Sequence, residues 1–294
     1  MRLKKESAGE RVYKGFVYLI LAILAVLILV PVIWVMVASL KETSEHYGSP
    51  WAVPTHIHWQ NFTEAWNASK MGDYMLNSVT ITVLALGILL VVALPASYCL
   101  ARFKFVGRGF LKTCFMAGLF INVNYIIVPI YIMLSDSDKW LKSMLGSGFL
   151  LNNQLVVAIV YAATALPFTI YLLSSYFATL PHDFEEAAYM DGSSYSRTML
   201  RIIFPMAKPS IITVILFNFL SFWNEYIILR TLVNDKDKWT LPAGLLNLMQ
   251  AQQSEANYGP MYAGLVLVML PVLILYICVQ KNLTKGMTVG GLKG

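Results

Sequence analysis

Four residues between positions 218 and 225 have the side chains and the spacing of a recognition site. Asn218, Ser221, Phe222 and Glu225 follow i, i+3, i+4, i+7 spacing, which gathers them on one face of a helix. An amide, a hydroxyl and a carboxylate supply donors and acceptors for the hydroxyl groups of a sugar, and Phe222 offers a flat face to its ring. Asn122 and Tyr125, three positions apart, would add contacts from a second segment. The same face serves equally well as an assembly surface, with Arg230 or a neighbouring subunit satisfying Glu225.

A second group lies between positions 178 and 209. Pro181 fits a first helical turn, and Asp183, Glu185 and Glu186 place negative charge where the helix dipole favours it. Ala187 and Ala188 leave one side of this short helix flat, so that another protein can approach its backbone closely. Gly192 suits the left-handed conformation that ends a helix, after Asp191. Ser193 or Ser194 then caps a second helix through Ile203, and Pro205 and Pro209 punctuate the approach to the fifth apolar run. Such a loop is built to dock.

Other chemistries lack their parts. His46, His56, His58 and His182 fall in loops without a complete metal or catalytic constellation, so no metal site is expected. His56 and His58 either share one side of a strand or are a solvated pair. No phosphate-binding loop of the Walker type is present, so this chain binds no nucleotide of its own. Cys99, Cys114 and Cys278 imply no disulfide framework, and the three Asn-X-Ser/Thr sequons, at Asn61, Asn67 and Asn282, carry no functional weight.

The elements that must position these residues are membrane helices. Of 294 residues 57% are hydrophobic and only 13% charged, which excludes an ordinary soluble domain. Uncharged runs at 16–40, 74–100, 113–134, 155–177, 210–229 and 261–279 each suffice to cross a hydrocarbon core, and only the fifth holds a charge, Glu225. The expected fold is therefore all-α, with six transmembrane helices and the docking loop between helices four and five. Fifteen of the 22 Lys and Arg residues fall in the N-terminal tail, the 101–112 and 178–209 loops and the C-terminal tail. That bias places both termini in the cytoplasm and explains the net charge of +6 without a nucleic-acid partner. The first apolar run is too long for a cleaved signal and stays as a helix. Residues 1–73 comprise the tail, the first helix and an outer loop rich in Pro and Trp (Pro50, Trp51, Pro54, Trp59, Trp66), read as an anchor at the membrane interface; residues 74–294 form the main transmembrane domain. The outer stretch from Trp239 to Ser254 either receives a partner or lays Leu241, Leu245, Leu246 and Leu248 on the membrane surface. Pro31, Pro95, Pro129, Pro167 and Pro271 each kink a span.

Glu186-Ala187-Ala188, Gly192 four positions on, and Ile202-Ile203-Phe204-Pro205 resemble the EAA loop of binding-protein-dependent ABC importer permeases. Phe204 stands where that family usually has Leu. Pro167-Phe168, Asp191-Gly192, Trp223-Asn224-Glu225 and the tail Val289-Gly290-Gly291-Leu292-Lys293-Gly294 extend the resemblance to the maltose-type carbohydrate permeases, over roughly residues 70–294. The resemblance implies a multi-pass inner-membrane subunit that pairs with a second homologous permease, two ATPase subunits holding ATP and magnesium, and an extracytoplasmic binding protein that delivers a sugar. Glu186, Ala187, Ala188, Asp191 and Gly192 would then be the coupling residues. The rivals are a permease for another solute such as amino acids or peptides, an ion-coupled secondary transporter, and a membrane-embedded enzyme. One intramembrane acid gives the second thin support, and no catalytic cluster supports the third.

Overall fold

A computed structural model of the chain describes residues 8–49, 51–68, 70–255 and 257–291. Arg2, Lys4, Lys5, Pro50, Ser69 and the closing Leu292, Lys293 and Gly294 lie outside them. Among the described residues every regular element is helical, as it must be where no water satisfies an open backbone. The first half runs α1 (Ala8–Ala38), α2 (Thr43–Gly48), α3 (Gln60–Ala68), α4 (Met71–Arg102), α5 (Arg108–Gly118), α6 (Val123–Leu145) and α7 (Gln154–Thr179). The second half runs α8 (Asp183–Met190), α9 (Tyr195–Thr198), a π turn over Met199–Ile203, α10 (Phe204–Met206), α11 (Lys208–Asn224), α12 (Ile227–Leu232), α13 (Leu241–Glu255) and α14 (Tyr258–Gly291).

Four helices, α1, α4, α7 and the first part of α14, are long and apolar enough to cross a membrane, and up to six spans result if two bent pairs each count as one. The first breaks the apolar run at 113–134, and the second bends just ahead of the run at 210–229. In the first, α5 and α6 meet at 105°. Gly118 ends α5 against Pro167, whose ring a Cβ would overlap, and Asn122 restarts the helix by accepting the Asn124 N–H at 2.9 Å. In the second, the segment Tyr195–Met206 meets α11 at 76°, and α11 stops at Asn224. The five prolines lie inside α1, α4, α6, α7 and α14, all of which continue through them.

The chain divides into two compact units, Met1–Ser69 with Asn247–Met269, and Lys70–Leu246 with Leu270–Gly294. In the first, Trp34 lies against Trp51 (5.6 Å between ring centroids) and edge-on to Tyr262 (5.2 Å), and His46 stacks on Tyr262 at 5.4 Å. Asn61, buried, donates its amide to the carbonyls of Ser39 and Lys41 at 2.9 and 2.8 Å, so it serves the fold rather than a sequon. Trp51 and Trp59 stay largely exposed.

The second unit is organised on α4 and α7, which pack along each other. Lipid is as apolar as a leucine side chain, so close packing rather than water release must join them. Small residues permit that approach: Ala85, Ala93 and Ser97 of α4 and Ala158 and Ala162 of α7 are all buried. Above this pair, Asn77 donates to the carbonyls of Asp237 and Trp239 at 2.8 and 3.0 Å and accepts from Gln154 at 2.8 Å. The leucines of the 239–254 stretch, read either as part of a partner-receiving surface or as lying on the membrane, are largely covered: in this unit Leu241 and Leu245 are buried and Leu246 half-buried, and Leu248 is buried in the first unit. The 3.6-residue period of α13 puts Leu241 and Leu245 on one face.

Candidate functional site

Between α6, α7 and α11 the second unit encloses a cavity of about 560 Å³ whose lining includes Asn122, Asn218, Ser221, Phe222 and Glu225. Five of the six recognition residues read from the sequence thus meet in one place. Tyr125 does not join them; it is 83% exposed, one turn along α6 from the Asn122 cap. Ser221 and Asn122 are exposed, whereas Asn218 and Phe222 are buried in the wall.

The buried groups have protein partners. Asn218 donates its amide to Thr169 Oγ1 on α7 at 3.0 Å and back to the Val214 carbonyl at 2.8 Å. Phe222 stacks on Tyr161 at 5.5 Å. Glu225 departs most from expectation, for it lies beyond the last turn of α11, in an extended conformation with φ −76° and ψ 129°. One carboxylate oxygen accepts the N–H groups of Ile227 and Ile228, both at 2.9 Å; the other accepts Leu229 N–H at 3.3 Å and the Tyr161 hydroxyl at 2.8 Å. Glu225 therefore starts α12 as a capping acid, its charge met by the orphan donors of a helix N-terminus. Arg230 is not its partner; that guanidinium sits 5.1 Å over the Trp239 ring.

Tyr161, Thr169, Phe168 and Phe217 join the site without being expected there. Phe168 and Phe217 meet edge to face at 6.0 Å on the cavity wall. Tyr161, Thr164 and Phe168 stand at i, i+3 and i+7, a spacing that signals the same face on α7. The cavity can accommodate a small solute between aromatic walls, with amide and hydroxyl groups at its open side.

In the docking loop, α8 begins after Pro181 and ends at Asp191, where Gly192 takes φ +78° and Ser193 N–H returns to the Ala188 carbonyl at 2.9 Å. Ser194 accepts from Arg197 N–H at 3.4 Å and so begins α9. Glu186 and Ala187 are exposed, while Glu185 and Ala188 are buried. One side of α8 thus rests on the protein and the other is open. Burial holds the Tyr189 hydroxyl above its usual range.

Residues 93–289, which carry both the cavity and this loop, match the family described as binding-protein-dependent transport system inner membrane component. The chain belongs to that family. It is 34% identical to the diacetylchitobiose uptake system permease protein NgcG of Streptomyces coelicolor, over 97% of this chain and 90% of that one. It is 30% identical to the multiple sugar-binding transport system permease protein MsmG of Streptococcus mutans, over 99% and 100%. Its fold is that of a chain in the crystal structure of a bacterial ABC transporter that imports alginate, with a TM-score of 0.78, 23% identity and coverage of 95% and 99%. Membership makes the chain a transport permease and a multi-pass membrane protein, the latter in keeping with its apolar composition.

Proposed function

We propose that the chain is the membrane permease subunit of an ATP-driven importer, moving a neutral sugar or oligosaccharide handed over by an extracytoplasmic binding protein. The observation that carries this is the cavity joining Asn122, Ser221 and Phe222 to the Phe168–Phe217 pair within a chain of the permease family. Aromatic faces and unspent amide and hydroxyl groups suit sugar rings and their hydroxyls. The sugar names borne by NgcG and MsmG support the same class. Among the described residues, the one acidic or basic side chain lining the cavity, Glu225, is an acid, which disfavours a uronate unless a partner supplies cations.

In this reading the chain resides in the inner membrane with both termini cytoplasmic. A second homologous permease completes the pathway, and two ATPase subunits hold ATP and magnesium and drive the cycle. The open side of α8, with Glu186 and Ala187, meets the ATPase; Ala188, Asp191 and Gly192 hold it in shape. The test is uptake by the assembled complex in proteoliposomes, using diacetylchitobiose, maltose and trehalose against an alginate oligosaccharide. ATP-dependent uptake of a neutral sugar is expected, and uptake of the acidic one alone would overturn the solute class. Amino-acid or peptide uptake in place of every sugar would overturn the reading itself.

A further inference from the structure

The last turn of α4 and the first turn of α8 are joined by a buried ion pair that the solute path does not use. Arg102 Nε lies 3.1 Å from Glu185 Oε1, with the two side chains 2% and 8% exposed. The N–H is out of line with the oxygen, so charge rather than an aligned hydrogen bond joins them. Arg102 Nη2 donates to the Leu180 carbonyl at 2.8 Å, and Nη1 lies 3.1 Å from His182 Nε2. His182 Nδ1 in turn lies 3.3 Å from the other Glu185 oxygen. Tyr98, one turn earlier on α4 and 1% exposed, sets its hydroxyl beside Glu185 and Tyr189.

A buried ion pair is a poor means of gaining stability, because desolvation offsets most of the attraction and apolar residues of similar volume do as well. What a guanidinium adds is direction, with five donors in a rigid fork. Here the fork holds the end of α7 and the turn through its Nη atoms, and its charge holds α8 through Glu185. The other route out of the loop is softer, through α9, the π turn and a 76° bend into α11.

We propose that Arg102 and Glu185 form a clasp that makes α8 and α4 move as one body, delivering displacement of the docked loop to α4 rather than to α11. The proposal rests on the permease reading above, and both residues are positioning residues, since neither lines the cavity. α4 is the natural recipient, being packed along α7, which forms one wall of the cavity.

The test replaces the pair with Arg102→Met and Glu185→Leu together, which removes direction without leaving a lone buried charge. Spin labels at Val91 on α4 and Met190 on α8, both exposed, are introduced with Cys99, Cys114 and Cys278 replaced by serine. In the assembled complex the interlabel distance should be narrow with the native pair and broad with the apolar one. ATP hydrolysed per sugar moved, measured with the neutral sugar that the native complex imports, should rise about two- to thirtyfold, the range typical of coupling residues. Glu185→Gln alone should raise it in the same direction. An unchanged distance distribution in the apolar variant overturns the clasp whatever solute the complex carries. A native hydrolysis ratio in a complex that still imports sugar overturns the clasp and leaves the permease reading intact.

Discussion

At the scale of residues, the acid in the fifth apolar run changes meaning once its partners are known. Glu225 reads in sequence as the fourth member of a helical face, but the helix ends one residue earlier and its oxygens are taken by three backbone N–H groups and Tyr161. Glu225→Ala should therefore cost about 1 kcal/mol or more of stability, as lost helix caps do, seen as a lower thermal midpoint in detergent. Glu225→Gln keeps an acceptor oxygen and should lose less. Weakened sugar affinity at unchanged stability in both variants would instead make Glu225 a ligand. Asn218→Ala strands the Thr169 hydroxyl and should also act on stability, by about 1 kcal/mol. Ser221→Ala breaks no hydrogen bond in the wall; it should leave the thermal midpoint in place and weaken sugar uptake. The sequence reading missed the stop at Asn224, where the carboxylate takes three neighbouring N–H groups and the hydroxyl of Tyr161, more than sixty positions away, a partner that only the fold brings near.

At the scale of elements, the short helix of the docking loop was legible and the spans only in part. α8 follows from Pro181, its acidic first turn and Gly192, all local signals that need no distant partner. The turn at Gly192 is the sharpest of these, since φ +78° strains any residue with a Cβ. Gly192→Ala should destabilise the loop by about 1 kcal/mol and raise ATP hydrolysis per sugar moved, while Gly192→Asn, which tolerates that region, should do less. Equal effects of the two would show that the conformation is unimportant. The third and fifth spans were legible as apolar runs, but the break between Gly118 and Val123 and the stop at Asn224 were not. Hydropathy reports that a segment prefers lipid and is silent on where its axis turns. Gly118 beneath Pro167 marks one bend, and that contact lies between helices distant in sequence.

At the scale of the whole molecule, the sidedness implied by 15 of 22 basic residues remains the strongest global statement the chain makes. Reporter fusions after Gln60, Leu145 and Leu245 should read outside the cytoplasm, and fusions after Val106 and Met190 inside. A reversed pattern would put α8 on the wrong side of the membrane to meet an ATPase. The π turn at Met199–Ile203 bears on the same relation between the two ends of the permease. A π turn is one residue of surplus wound into an α-helix, and each residue corresponds to about 100° of rotation. Deleting a single residue there should relax the π turn to an ordinary α turn and keep the phase of the flanking turns, whereas deleting one from regular α turns would shift that phase by about 100°, more than a quarter turn. Insertions and deletions in this segment are thus a matter of angle rather than length, and those that keep the number of turns should cost least.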